Sequence, residues 1–249
     1  MLKTEGQYVF ILCPNHSGST VLYFLLSTSK EVSTMNWNNN ILEGQIIPDV
    51  MDYMPYAKES DKGLFYLHKE KHQDETKYNW EKIKSGWRKH WDYSKSVLLE
   101  KSTTNLYRKK MLQDNFKNAK FIIMVRNPYA VCEGIKRKHG VDVVDAAEHW
   151  LDTAEQQIKN ISEDSVFFTY EQLCDCTDTV VNKILEYAPE FVFLDYKSKL
   201  NRPRYEKIIG LQNMNDNQIK SLSKLEIKKI SSKLSNKKEV VDFYGYNIL

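Results

Sequence analysis

Several features that identify other classes of protein are scarce or missing in this 249-residue chain. Only four cysteines occur, and the one close pair is C-D-C rather than C-x-x-C. A chain of this length can build a core without covalent cross-links, so we expect reduced thiols rather than a disulfide framework. The six histidines show no spacing typical of a zinc site, so we expect no metal.

Long hydrophobic runs are also missing. No apolar stretch approaches the roughly 18 residues that would span a bilayer, and the stretch before Pro14 is too short for a secretory signal. We therefore expect a cytoplasmic protein with no membrane partner. No internal repeat, Gly/Ser linker or low-complexity segment marks a second domain, so we expect residues 1–249 to form one domain.

Charge is nearly balanced overall but unevenly distributed. The net charge is +3, yet residues 62–110 contain 13 Lys and Arg against 6 Asp and Glu, which leaves the rest of the chain net negative. The overlapping stretch 36–96 is polar and contains Trp37, Trp80, Trp87 and Trp91, four of the five tryptophans. We interpret it as an insertion of helices and loops near the functional edge of the sheet. The basic run 62–110 faces either an acidic partner or, as a solvated helical face, water.

Short apolar blocks alternate with segments of helical periodicity along the rest of the chain. Alternating strands and helices require crossover connections, so we predict a three-layer α/β/α domain with a central parallel sheet. Near the C-terminus, Ser223 and Glu226 have the spacing of a capping box. The five predicted strands are Tyr8–Leu12, Val32–Met35, Val97–Leu99, Phe121–Val125 and Val166–Tyr170.

The segment CPNHSGST (residues 13–20) follows the first predicted strand and precedes the first predicted helix. Small residues at such a turn let backbone N–H groups converge on an anion, and the helix N-terminus adds partial positive charge. The segment is not a Walker A loop, because that pattern requires Gly at 13 and Lys at 19, where this chain has Cys13 and Ser19. It therefore indicates an anion site without the lysine that ATP hydrolysis uses.

Three further motifs follow in order. They are Arg126-Asn127-Pro128-Tyr129-Ala130-Val131-Cys132-Glu133-Gly134 after a predicted strand, Tyr170-Glu171-Gln172-Leu173 after another, and FYGY at 243–246. Together with the loop, this set resembles the sulfotransferases that use 3′-phosphoadenosine 5′-phosphosulfate (PAPS). The resemblance extends from Tyr8 to Tyr246 and implies a P-loop-like sulfotransferase fold, with PAPS as sulfuryl donor and 3′-phosphoadenosine 5′-phosphate (PAP) as product.

The resemblance implies which residues bind the cofactor. The loop residues Ser17, Gly18, Ser19 and Thr20 would hold the 5′-phosphosulfate, and Arg126 would bind the 3′-phosphate through paired N–H donors. Tyr170 and Lys207 would also contact the nucleotide.

Two positions depart from the family pattern. His16 stands where relatives have Arg or Lys, and it would supply positive charge if the adjacent phosphate protonates it. Gly134 replaces a serine that contacts the 3′-phosphate, a loss for which Arg137 would compensate.

The catalytic residues follow from a closer similarity to the tyrosylprotein-type branch. Glu43 in E-G-Q-I-I-P corresponds to the base that deprotonates the acceptor, and Lys101 would donate to the leaving phosphate, with His16 assisting. His68 or His72 is the alternative base if the insertion folds over the site. Otherwise we expect both at the surface.

Two other functions stay open from the sequence. A divergent nucleotide or small-molecule kinase would share the strand–loop–helix opening, and a non-enzymatic module for an acidic polymer would use the basic, tryptophan-rich region. No recognised nucleic-acid motif is present, so we expect no nucleic-acid partner. The acceptor is a small molecule, carbohydrate or peptide, and the sequence does not distinguish among them.

Overall fold

A computed structural model describes residues 6–35, 43–55, 62–197 and 211–249. Five parallel strands form one sheet in the order β2-β3-β1-β4-β5, so β1 lies at the centre. All five predicted strands are confirmed within two residues at each end. Their bounds are β1 (Gln7–Leu12), β2 (Val32–Thr34), β3 (Val97–Lys101), β4 (Lys120–Val125) and β5 (Ser165–Thr169).

The side chains of β1 explain why the sheet lies between two layers of helices. Val9 and Ile11 face one side and Phe10 and Leu12 the other, and all four are fully buried. A strand buried on both faces is a continuous apolar run, which is how parallel sheets appear in sequence. The predicted three-layer α/β/α architecture is confirmed.

Twelve α-helices surround the sheet in the described part of the chain. Their bounds are α1 (Ser19–Leu26), α2 (Pro48–Met51), α3 (Lys69–Gln73), α4 (Trp80–Arg88), α5 (Lys109–Asn115), α6 (Pro128–His139), α7 (Val143–Asn160), α8 (Tyr170–Asp175), α9 (Thr177–Tyr187), α10 (Asn215–Lys220), α11 (Lys224–Leu234) and α12 (Lys238–Phe243). None of them is both long and apolar enough to cross a membrane.

Helix-capping residues set several element boundaries. The Ser223–Glu226 capping box at the start of α11 is confirmed. A second capping box joins Thr169 and Gln172, which ends β5 at Thr169 and begins α8 at Tyr170. Tyr170 therefore lies in the first turn of a helix, one residue beyond the strand to which the sequence pattern assigned it.

Three tryptophans of the segment 36–96 pack into the core. Trp87 is fully buried, and Trp80 and Trp91 are less than a tenth exposed, packing around Phe116. Trp37 lies outside the described residues. These three tryptophans therefore serve to attach α4 to the sheet rather than to form an exposed surface for stacking a polymer.

Candidate active site

The loop between β1 and α1 lies at the carboxyl edge of the sheet. His16 and Gly18 both have left-handed backbone conformations, with φ of 60° and 92°. This geometry turns the chain sharply into α1, and the backbone N–H groups of Gly18 and Thr20 make no hydrogen bond within the described part of the chain. Unpaired amides at a helix start are the donors that an anion-binding loop requires.

Tyr170 fixes the position of this loop. A Cβ added at Gly18 would lie 2.6 Å from Cδ2 of Tyr170, so only glycine fits against the ring. The Arg126 guanidinium lies over the same ring, 4.1 Å from the ring centroid. Tyr170 thus contacts both the loop after β1 and the arginine after β4.

Arg126 follows β4, at the same edge of the sheet, and the polar residues after it begin α6. The Asn127 side chain accepts from the Tyr129 N–H at 3.0 Å, and Pro128 occupies the first helical position, where its missing N–H has no cost. This cap directs the chain away from the sheet just after the arginine. In the R-N-P sequence, the first residue after a strand, a helix cap and a helix start therefore follow in succession.

The Arg126 side chain is only 6% exposed. Nε donates to Asn215 Oδ1 at 2.8 Å, Nη1 donates to the His16 carbonyl at 3.1 Å, and Nη2 donates to Gln218 Oε1. A guanidinium has five N–H groups, so beyond these three contacts two have no partner among the described residues and could serve an anion. Helix α10 thus holds the arginine in place without exhausting its donors.

Glu171 connects three of the sequence motifs. Its Oε1 accepts from the backbone N–H of Asn127 at 3.0 Å and from Asn215 Nδ2 at 2.5 Å, and its Oε2 accepts from the Tyr246 hydroxyl at 2.8 Å. One carboxylate therefore joins the start of α6, the start of α10 and the C-terminal FYGY segment. The glutamate of the Y-E-x-L motif therefore has a structural role in this chain, because it joins the segments that surround Arg126.

His16 packs its ring against α6. A Cβ added at Gly134 would lie 2.9 Å from His16 Nδ1, and the His139 ring is in edge contact at 5.4 Å between centroids. Burial lowers the pKa of His16 to about 3, with smaller contributions from the nearby His139 and Lys138 side chains. His16 is therefore neutral near pH 7 when no anion is bound.

Lys101 and Glu43 form an ion pair at the end of β3. Lys101 Nζ lies 2.9 Å from Glu43 Oε1, and the side chains are 4% and 21% exposed. Burial raises the pKa of Glu43, but the ion pair with Lys101 outweighs it and holds the pKa below its usual value. Burial raises the pKa of Cys13, at the start of the loop, while the charges of Lys101 and Arg126 act to lower it. Both cations therefore lie near that loop.

Gln45 holds the other oxygen of Glu43. Its Nε2 donates to Glu43 Oε2 at 2.7 Å, while its Oε1 accepts from Arg108 Nη2 at 3.0 Å and from the Thr104 hydroxyl. Two donors on the amide oxygen require the amide nitrogen to face Glu43. The fully buried Arg108 therefore orients the carboxylate through Gln45.

A second buried carboxylate fixes the segment after Glu43. Glu100 accepts from the Gly44 N–H at 2.9 Å, from Ser102 Oγ at 2.5 Å and from Asn105 Nδ2. Burial raises its pKa despite these bonds. No side chain fits at Gly44, since a Cβ there would lie 2.8 Å from Glu100 Oε1.

Other predicted site residues lie elsewhere or outside the description. Arg137 is exposed and bonds to Glu133 at 2.8 Å rather than joining Arg126. His72 is 1% exposed and stacks on Tyr107, so the expectation that it lies at the surface is wrong, while His68 is half-buried. Lys207 falls outside the described residues.

Sequence reasoning missed the residues that support the site. Asn215 and Gln218 lie about 90 positions after Arg126, and no motif marks them. Gln45 and Glu171 each stood inside a recognised motif, but their roles depend on partners 63 and 75 positions away. Only an observed contact reveals such partners.

Comparison with known proteins gives a consistent picture. A family model described as "Sulfotransferase family" matches residues 8–189, which is more than half of the chain. No curated protein sequence matches significantly.

Two solved structures share the fold. The chain is 18% identical to the sulfotransferase domain from the Synechococcus PCC 7002 olefin synthase, with a TM-score of 0.54, covering 99% of this chain and 97% of that one. It is 17% identical to the sulfotransferase domain from the curacin biosynthetic pathway, with a TM-score of 0.51, covering 99% of this chain and all of the other. At this level of identity the matches show the fold alone.

Proposed function

The chain belongs to the sulfotransferase family, and from this premise we propose that it moves a sulfuryl group from PAPS to a hydroxyl or amine acceptor by in-line displacement. The observation that carries the proposal is the Lys101–Glu43 ion pair beside the loop after β1. It places a carboxylate that can accept a proton next to an ammonium that can stabilise a leaving phosphate.

The donor site fits a nucleotide with phosphate groups at two positions. The loop of residues 16–20 offers backbone amides and the hydroxyls of Ser19 and Thr20, and Arg126 offers two N–H groups at a second corner. Bound there, PAPS would supply the activated sulfuryl group and leave as PAP. The Tyr170 ring contacts both the loop and the arginine and so helps to hold the two anion sites in place.

The residues of the chain perform three tasks in this proposal. Glu43 Oε1 or Oε2 takes the proton from the acceptor, and its lowered pKa keeps it ionised at neutral pH. Lys101 Nζ donates to the charge that develops on the leaving phosphate. As the ammonium turns towards the phosphate, its ion pair with Glu43 opens and the carboxylate becomes free. The loop amides align the donor with the acceptor.

A direct assay tests the proposal. The purified protein is incubated with sulfur-labelled PAPS and a panel of phenols, sugars and peptides, and PAP binding is measured by calorimetry. We expect PAP binding and transfer to at least one acceptor class, with no requirement for ATP or Mg²⁺. Absence of both PAP binding and transfer, or an ATP- and Mg²⁺-dependent transfer instead, would contradict it.

Two variants separate binding from chemistry. Glu43→Gln keeps PAP binding and loses transfer, because the amide cannot accept the proton. Arg126→Ala loses PAP binding, whereas the matched control Arg88→Ala, an exposed arginine on α4, binds normally. Circular dichroism and thermal melts confirm that each variant is folded before its affinity is compared.

A further inference from the structure

His16 and Gly134 are in direct contact although 118 positions separate them in the chain. The His16 ring lies over α6 so closely that a Cβ at position 134 would stand 2.9 Å from Nδ1 and 3.2 Å from Cγ. Such distances are below normal van der Waals contact, so any side chain at 134 would displace the ring. The imidazole therefore occupies the space that a residue 134 side chain would fill.

The ring is available to a ligand. Its nitrogens make no hydrogen bond within the described residues, and the side chain is half-buried rather than enclosed. Arg126 Nη1 donates to the His16 carbonyl at 3.1 Å, so the imidazole and the guanidinium belong to the same corner of the site. An anion bound by the free N–H groups of Arg126 would have a histidine ring as its neighbour.

Burial is the main influence on the ring, and positive charge on α6 adds to it. Together they lower its pKa to about 3, so without an anion the ring is neutral. An arriving dianion reverses the field and favours the imidazolium, which donates a charge-assisted hydrogen bond. The titratable groups near it are His139, Lys138 and Arg137 on α6 and His149 on α7, with Glu133 bound to Arg137 and Arg126 bound to the His16 carbonyl. Burial also lowers the pKa of His139 and of His149, so Lys138 and Arg137 carry the positive charge on α6.

We propose that the His16 imidazole is a ligand of the 3′-phosphate of the bound nucleotide, and that Gly134 is the residue that makes room for it. The two positions then act as one unit: the ring reaches from the loop to the place where a side chain on α6 would otherwise stand. The proposal rests on the proposed function, since it assumes a nucleotide with a 3′-phosphate. Only the side chain of His16 is assigned to the 3′-phosphate, and its backbone remains part of the loop after β1.

Binding of two nucleotides tests this assignment. PAP and adenosine 5′-monophosphate differ only in the 3′-phosphate, and their affinities are measured by calorimetry for the wild type and for His16→Gln. We expect His16→Gln to weaken PAP binding by about tenfold or more and to leave adenosine 5′-monophosphate nearly unchanged. The matched control is His139→Gln, the ring in edge contact with His16, which keeps most of the PAP affinity.

The outcomes distinguish the two proposals. Equal losses for both nucleotides place the ring at the 5′ side and overturn the inference, and so does an unchanged PAP affinity in His16→Gln. A wild-type protein that binds no PAP overturns the proposed function itself. Calorimetry in two buffers of different ionisation enthalpy adds an independent signal: wild type takes up a proton on binding PAP at pH 7, and His16→Gln takes up less.

A double-mutant cycle tests the pairing with Gly134. Gly134→Ser alone forces the ring aside, so we expect it to weaken PAP binding by about tenfold. In a His16→Ala background the same serine has room and offers a hydroxyl to the phosphate, so we expect it to raise the affinity instead. Equal losses in both backgrounds would show that Gly134 serves only the packing of α6 and would overturn the pairing.

Discussion

The ammonium of Lys101 lies 2.9 Å from the carboxylate of Glu43, although 58 positions separate the two residues in the chain. Each residue belongs to a short motif that the sequence alone treated separately. Parallel pairing of β3 with β1 carries Lys101 to the edge of the sheet where the loop after β1 begins. Hydrogen bonds of Gly44 and Gln45 to Glu100 and Ser102 then bring Glu43 to the same edge.

The ion pair predicts the pH dependence of the reaction. A lowered pKa keeps Glu43 ionised, so the acidic limb of the kcat/KM profile lies below pH 4.5, and activity falls only as pH drops through the pKa in the folded protein. In Lys101→Met the burial of the carboxylate is unopposed, its pKa rises, and the limb shifts to higher pH.

The control for this profile is Lys109→Met. Lys109 forms a comparable buried ion pair with Asp164 at 2.6 Å, away from Glu43. We expect it to reduce stability without moving the limb. An unshifted limb in Lys101→Met would show that a group other than Glu43 is the base.

Gln45 orients the carboxylate, so its replacement should impair chemistry more than binding. Gln45→Met removes the donor to Glu43 and leaves the buried Arg108 without an amide oxygen. We expect a loss of about 1–3 kcal/mol in the free energy of unfolding and a kcat lower by about tenfold or more. Urea titration and steady-state kinetics measure both, and PAP affinity should change little.

The matched variant is Gln73→Met, an exposed glutamine on α3. It should leave kcat and stability nearly unchanged. If Gln45→Met behaves like Gln73→Met, the orienting role of the amide is wrong.

Alanine substitutions at two glycines with left-handed backbones distinguish the effect of backbone strain from that of a steric clash. At Gly18 a methyl group would collide with the Tyr170 ring at 2.6 Å, whereas at Gly140 nothing lies within 4 Å of the added Cβ. Both substitutions place a Cβ on a left-handed backbone, at a cost of about 1–2 kcal/mol. We expect Gly18→Ala to lose PAP binding by about a hundredfold, and Gly140→Ala to lose only stability, as shown by calorimetry and thermal melts.

The hydrogen bond between Glu171 and the C-terminal segment should contribute to stability. Tyr246→Phe removes the hydroxyl that donates to Glu171 Oε2 at 2.8 Å, and burial makes that bond costly to lose. We expect a loss of about 1–2 kcal/mol in the free energy of unfolding, measured by urea titration. Tyr53→Phe, at a tyrosine 37% exposed on the surface, is the control and should cost little.

The sequence predicted the elements well because their signals are local. Five apolar runs became five strands, and the polar residues that end them became caps, as Asn127 and Thr169 show. The family resemblance implied that Arg126, Lys101 and the loop at 16–20 belong to one site, and the carboxyl ends of parallel strands do share one edge of the sheet. Their roles in binding and catalysis stay predictions.

The burial of side chains could not be predicted in the region whose charged and aromatic composition is typical of an exposed surface. The basic, tryptophan-rich region suggested an exposed surface, yet Trp87 and Arg108 are fully buried, and His72 lies under Tyr107. Whether such a side chain faces water depends on which helix covers it. That information is absent from local spacing.

The sequence by itself determined the family and the parallel α/β architecture and indicated the segments of the proposed site, because each depends on a few adjacent residues. Only the tertiary structure decided the strand order, the pairing of Glu43 with Lys101, the anchoring of Arg126 by α10 and the contact between His16 and Gly134. These four features join residues far apart in the chain. Their geometry follows from close packing of the whole domain, which no short stretch of sequence specifies.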